Sequence, residues 1–288
     1  MLYSHSELDL RTFFRDVAHA RQSALLMDYD GTLAPFHRDR YLAIPYPCVT
    51  ELLRDIMETG RTRVIVITGR SAHEVIPLLR LSPAPEIWGT HGLERLHSDG
   101  TYERPEIDSY TGDALLAAYE WAARLNLGDS VEQKPGSVAV HWRDVPDDKA
   151  REIRNKVLLG WLAIADRACL TLAQFDGGVE IRVADRNKGD AVRTILAEME
   201  IDAPVAYLGD DQTDEDAFHA LRDRGLRVLV RPNWRETAAD LWLRPPVQLA
   251  TFLLDWLHAC RSAPISQTRA RWNFSQMGGS PSSGGHGQ

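Results

Sequence analysis

Two acidic clusters in this sequence have the residue types and spacing for chemistry. The first is Asp28-Tyr29-Asp30-Gly31-Thr32, directly after the apolar run Ala24-Leu25-Leu26-Met27. On extended backbone the side chains at i and i+2 point the same way, so Asp28 and Asp30 share the space beyond the run, and Gly31 permits a tight turn away. The second cluster is Gly209-Asp210-Asp211-Gln212-Thr213-Asp214-Glu215-Asp216, after Val205-Ala206-Tyr207-Leu208. Its later acids have an ordinary explanation: Thr213 could cap a helix, with Glu215 and Asp216 complementing the positive end of the dipole. Asp210 and Asp211 precede that cap and are not explained by it. Crowded carboxylates repel one another, and a hard divalent cation with oxygen ligands removes the conflict; Mg2+ is the natural choice.

Two further residues complete a set suited to phosphoryl transfer. Thr68 closes the run Val64-Ile65-Val66-Ile67, where its hydroxyl and the following backbone N–H groups can hold phosphate oxygens. Lys188, in Asn187-Lys188-Gly189, places a compact positive charge at a helix start. A Thr-Gly turn or a surface lysine is unremarkable alone. The joint order of Asp-x-Asp-Gly-Thr, Thr-Gly-Arg, Asn-Lys-Gly and Gly-Asp-Asp is what points to phosphoryl chemistry, since all but the lysine motif follow predicted strands.

On these motifs the chain resembles the haloacid dehalogenase (HAD) superfamily of phosphatases. Within it, the chain resembles the trehalose-6-phosphate phosphatase family through His91-Gly92-Leu93-Glu94, VEQKPGSVAVHWR (131–143), Glu180-Ile181-Arg182 and GDDQTDED (209–216). Thr68 stands where the family usually has Ser, Val183 where it often has Pro, and Trp142 where it often has Tyr. The resemblance implies Asp28 as nucleophile, Asp30 as general acid and base, and Thr68 and Lys188 as phosphoryl-holding residues. It implies Mg2+ at Asp28, the Asp30 carbonyl and Asp210, with Asp211 and Asp214 as further carboxylates of the metal site. Gly69, Arg70, His91, Glu94, Glu132, Lys134, Ser137, His141, Arg143, Glu180 and Arg182 are the expected substrate-binding residues. The resemblance implies a sugar phosphate substrate, trehalose 6-phosphate, hydrolysed to trehalose and phosphate through an aspartyl-phosphate on Asp28, with a trehalose-phosphate synthase of the same pathway as the expected partner. Another glycosyl phosphate such as mannosyl-phosphoglycerate or sucrose phosphate, a phosphotransferase or mutase on the same core, and a non-catalytic sugar sensor are the alternatives.

These residues need elements to position them. Continuous apolar runs, including Val228-Leu229-Val230, suit strands buried on both faces of a parallel sheet. Val192, Ile195, Leu196 and Met199 follow helical periodicity between two such runs. Alternating strands and helices predict an α/β, doubly wound, HAD-like core. The middle of the chain reads as hairpins at 131–141 and 170–183, a helix marked by Ile153, Val157, Trp161 and Ile164, and another over Asp113 to Leu125. We therefore expect a core of residues 1–105 and 185–262 and an inserted α+β cap of 106–184. In the cap's first strand Glu132 and Lys134 share a face; in the second, Ser137, Ala139, His141 and Arg143 do, while Trp142 alternates into the cap's interior. Residues 263–288, rich in Gly and Ser, are expected to be disordered.

Composition bounds the rest. The chain has 288 residues, 44% hydrophobic and 26% charged, enough to bury a sizeable core. A net charge of −8 argues against nucleic acid as a partner, so an anionic substrate must be drawn in by a local positive site. Three scattered cysteines do not make a disulfide framework, and neither a signal peptide nor a membrane span is recognisable. The expected location is cytoplasmic.

Overall fold

The computed structural model describes residues 10–37, 39–142, 145–175, 177–184 and 186–262. Arg143 and the 263–288 segment lie outside the described residues. One sheet contains β1 (Ser23–Met27), β2 (Thr62–Ile67), β3 (Glu86–Gly89), β4 (Glu94–Leu96) and β5 (Tyr102–Glu103). A second is made of β6 (Val131–Lys134), β7 (Ser137–His141), β8 (Leu170–Phe175) and β9 (Gly178–Val183). The chain then returns to the first sheet with β10 (Val205–Gly209), β11 (Leu226–Val230) and β12 (Leu241–Leu243). The helices are α1 (Leu10–His19), α2 (Pro47–Glu58), α3 (Ala72–Leu79), α4 (Ser109–Ala123), α5 (Asp147–Arg167), α6 (Lys188–Ala197), α7 (Glu215–Ala220) and α8 (Val247–Ser262).

The first sheet runs β12-β11-β10-β1-β2-β3-β4-β5, parallel from β12 to β3, with β4 and β5 added antiparallel. Its central strands are apolar throughout because both faces are covered. Leu25 and Met27 of β1 pack with α1, α2 and α8, while Ala24 and Leu26 pack with α6 and α7. Val64 and Val66 of β2 follow the first pair, Ile65 and Ile67 the second. From β1 the chain moves outward through β2 and β3, and after the second sheet it moves the other way through β10, β11 and β12. The crevice between β1 and β10 is therefore the topological switch point, where open α/β sheets bind ligands beyond their strand ends.

The second sheet has the order β6-β7-β9-β8, all antiparallel. Val138, Val140, Val179 and Ile181 face α4 and α5, where Val157 and Trp161 complete a separate core, and Trp142 packs at its edge. The opposite face carries the polar residues. Three details differ from the sequence reading. Helix α4 starts earlier than Asp113 because Asp108 caps it, accepting from the Thr111 N–H at 3.0 Å. The antiparallel β4–β5 extension was not anticipated, since Glu94–Leu96 is too short to show periodicity. Thr213 is no helix cap: it lies inside a 3-10 turn, Gln212–Asp214, that Asp211 and Asp214 bracket.

Candidate active site

Asp28 follows β1, and its N–H continues the ladder to the Leu208 carbonyl at 2.8 Å, so the position of its carboxylate is set by the sheet. Lys188 opens α6. Asn187 caps that helix reciprocally with Asp190, at 3.0 and 2.9 Å, and Gly189 allows close packing on the next helix, since a Cβ there would lie 2.5 Å from the Asp216 carbonyl oxygen. The buried Lys188 ammonium donates to Asp28 Oδ1 at 2.6 Å and to Asp214 Oδ1 at 2.7 Å. Asp214 is fully engaged: it also accepts from the Tyr207 hydroxyl at 2.6 Å and from the Asp210 and Asp211 N–H groups at 2.9 Å each. Burial would raise its pKa, but Lys188 and these donors outweigh that and lower it. Asp214 thus braces the loop and the lysine.

Asp28 and Asp210 are in a different position. Burial, with Asp214 and Asp30 nearby, pushes Asp28 up to about 7 even though Lys188 opposes the shift. Burial, with Asp28, Asp214 and Asp211 nearby, raises Asp210 well above its ordinary range. Oxygens of Asp28, Asp210 and Asp214 lie within 4.8 Å of one another, and Asp210 Oδ1 is buried without a hydrogen-bond partner. A buried acceptor among crowded carboxylates, all oxygen donors, fits a hard divalent cation such as Mg2+. The cluster does not include the side chains of Asp30 and Asp211.

The Asp30 carboxylate is held by Arg70 instead, through Nε to Oδ2 and Nη2 to Oδ1, both at 2.6 Å. This bidentate fork fixes both the position and the plane of the carboxylate. Arg70 is fixed in turn: its Nη1 donates to the Arg40 carbonyl at 2.7 Å, its N–H to Thr68 Oγ1 at 3.1 Å, and its guanidinium lies 5.4 Å from the Tyr29 ring centroid. The sequence reading expects Arg70 at the substrate; in the structure its guanidinium is paired with Asp30. Glu94 is another residue expected at the substrate. It is buried beneath the loop, accepting from the Ala72 N–H at 2.9 Å, Thr90 Oγ1 at 3.0 Å and the Tyr102 hydroxyl at 2.7 Å.

The polar face of the second sheet closes over this centre. Register places Ser137 opposite Arg182 and Ala139 opposite Glu180, so β7 and β9 present them together. Glu180, 1% exposed, accepts from Lys134 at 3.1 Å and Ser137 at 2.8 Å, and its other oxygen lies 3.0 Å from His91 Nε2. Thr90 and His91 both have positive φ, 46° and 56°, and this left-handed turn brings the imidazole to the cap. Lys134 also donates to the Gly69 carbonyl at 3.0 Å. A Cβ at Gly69 would lie 2.7 Å from the His91 ring, so any side chain there would displace the imidazole. Glu132 accepts from His141 at 2.8 Å and forms an ion pair with Arg40. Arg182 Nε is buried without a partner.

A buried carboxylate at the switch point, a lysine beside it and a polar sheet above it is the arrangement that known phosphatases can be compared with. The trehalose-phosphatase family profile matches residues 26–241. The chain belongs to the trehalose-phosphatase family. A trehalose-phosphate phosphatase of Mycobacterium tuberculosis is 32% identical over 262 residues, covering 86% of this chain and 65% of that protein. One from Mycobacterium leprae is 31% identical over 258 residues, covering 81% and 57%. The chain thus spans less than two thirds of these relatives. Among solved structures, the C-terminal domain of Candida albicans trehalose-6-phosphate phosphatase superposes with a TM-score of 0.74 at 18% identity, covering 91% of this chain and 99% of that one. A haloacid dehalogenase-like hydrolase from B. subtilis gives 0.58 at 15%, covering 81% and 99%. The fold is that of a HAD-like core with a cap.

Four residues of this trehalose-phosphatase family member escaped the sequence reading. Tyr207 read as strand filling, yet its hydroxyl braces Asp214. Arg235 donates to the Asp210 carbonyl at 3.2 Å and the Asp211 carbonyl at 2.6 Å, and Arg231 to the Asp210 carbonyl at 3.2 Å. Their signal was position: both follow β11, on the same sheet edge as the acidic loop. Arg40 gave no signal, because its partners are set by a loop.

Proposed function

We propose that the chain hydrolyses trehalose 6-phosphate to trehalose and phosphate. The observation that carries this reading is the juxtaposition of Asp28, paired to Lys188 at the switch point, with a cap face whose Glu132, Lys134 and Glu180 point at the core. Asp28 attacks phosphorus in line and an aspartyl-phosphate forms as the sugar oxygen leaves. Asp30, fixed by Arg70, protonates that oxygen and then takes a proton from the attacking water. Lys188 and Thr68 hold phosphoryl oxygens and balance their charge. Asp28, Asp210 and the Asp30 carbonyl would hold Mg2+, which when bound supplies further neutralisation of phosphoryl charge. The cap excludes water and presents polar groups to the sugar. A glycosyltransferase that makes the phosphorylated disaccharide, such as a trehalose-phosphate synthase, would supply the substrate.

The test is phosphate release across a panel of sugar phosphates, with Mg2+ and with EDTA. Trehalose 6-phosphate should give the highest kcat/KM, and EDTA should silence the reaction until Mg2+ is restored. Preference for sucrose phosphate or another glycosyl phosphate would replace the substrate assignment, and phosphate passed to a second sugar instead of water would replace hydrolysis.

A further inference from the structure

The segment that follows the Asp28–Thr32 motif is pinned at several points. Tyr29 donates its hydroxyl to the Ala43 carbonyl at 2.6 Å, the Tyr46 N–H donates to the Leu33 carbonyl at 3.0 Å, and Asp39 caps the short turn Arg40–Leu42. Arg40 therefore sits on a fixed backbone, and its two ends face different partners. Its guanidinium bridges two carboxylates on different domains: Glu74 of α3 in the core, at 2.6 Å, and Glu132 of β6 in the cap. Its carbonyl accepts from Arg70, the residue that holds both oxygens of Asp30. A continuous path of polar contacts thus runs from the cap sheet to the carboxylate assigned to the leaving group. The other described polar core–cap contacts, Lys134 to Gly69 and His91 to Glu180, come from the loops after β2 and β3; Arg40 closes the side next to β1.

We propose that Arg40 is a positioning residue, latching the closed cap through Glu132 while its carbonyl fixes Arg70 and, through Arg70, Asp30. The role in catalysis rests on the phosphatase reading; the latch itself does not. With the cap open, the guanidinium keeps Glu74 and loses Glu132, so the pair is made only on closure. A planar, always charged fork suits this bridge in a way that a lysine cannot match.

The test reads cap opening without substrate. Lys134 is buried at the interface and is acetylated by a soluble amine reagent only when the cap lifts, while exposed Lys156 serves as an internal reference. Arg40→Ala should raise the Lys134 labelling rate about fivefold relative to Lys156, the scale of one partly exposed ion pair. Arg40→Lys, the milder change, should give a smaller rise. Glu132→Gln should raise labelling similarly, and Arg40→Ala added to Glu132→Gln should add little more, because both break one contact. A wild-type labelling rate in Arg40→Ala, or effects that multiply independently, overturns the latch. In Arg40→Ala, which keeps the backbone carbonyl and so the hold on Arg70, kcat/KM for trehalose 6-phosphate should fall more than that for p-nitrophenyl phosphate, because only the sugar needs the closed cap; equal losses overturn the link between the latch and the sugar. If the wild type leaves trehalose 6-phosphate intact, the substrate reading fails and the labelling rates alone decide the latch.

Discussion

Asp28 is buried among carboxylates and keeps one oxygen on Lys188. Replacing it with Asn preserves shape but removes nucleophilicity and one charge from a crowded cluster. Asp28→Asn should therefore abolish turnover, by more than about a thousandfold, while leaving the melting temperature equal or higher. Asp30→Asn should behave differently, accumulating an acid-stable mass increment of one phosphoryl group on Asp28 that hydrolyses slowly. Fast turnover by either variant would remove these assignments. Lys188 lies between two buried carboxylates at 2.6 and 2.7 Å, so Lys188→Met removes the counter-charge from both and leaves Asp214 with only its neutral donors. The expected loss is about 3–5 kcal/mol of stability, read by denaturant titration. Mg2+ should recover more of this loss in the variant than it adds to the wild type.

The loops at the strand ends hold these groups in place, and their glycines mark where backbone must approach side chain. Gly31 has φ of +87°, and a Cβ there would come within 2.2 Å of an Asp210 carboxylate oxygen. Gly31→Ala should push Asp210 out of the cluster and weaken Mg2+ binding at least about tenfold by calorimetry, with added cost from the left-handed backbone. Unchanged affinity would show that Asp210 has room to move. In the cap strands the test is selectivity. Lys134→Ala and Glu180→Gln should cut kcat/KM for trehalose 6-phosphate at least about tenfold and spare p-nitrophenyl phosphate, because a pocket built to bond hydroxyls discriminates by leaving groups unpaired. Glu180→Gln is the cleaner of the two, since it keeps an acceptor for Ser137 and Lys134.

At the scale of the whole molecule, the apolar layers on the two faces of the large sheet and the separate core of the cap are joined across a polar seam whose charges respond to pH. Burial would raise Glu132, but His141, Lys134 and Arg40 outweigh it and hold it down to about 2, from an ordinary 4.5. A carboxylate depressed on folding contributes stability in full above its unfolded pKa and loses it as pH falls through the folded one. The melting-temperature advantage of wild type over Glu132→Gln should therefore be constant above about pH 5 and shrink between 4.5 and 2. An advantage that persists at pH 2 would mean that packing, not charge, separates the two proteins. Among the described residues, no helix is long and apolar enough to cross a membrane.

The sequence by itself determined the central strands of the sheet and the pair of carboxylates that begins the site. Leu25 and Met27 alternate with Ala24 and Leu26 between two helical layers, so the run had to be apolar throughout, and backbone geometry alone then places Asp28 at the end of the strand. The two cap hairpins were legible for a similar reason, since alternation and Gly turns act over a few residues. Tertiary structure decided the rest. Asp214 and Tyr207 meet Lys188, Arg70 takes Asp30, Glu94 turns inward as a brace, and Arg40 reaches the cap. Each of these pairings joins groups on separate elements or loops. Periodicity fixes which face of its own strand or helix a side chain takes, but the partner it meets there depends on how the elements pack and where the loops leave its backbone.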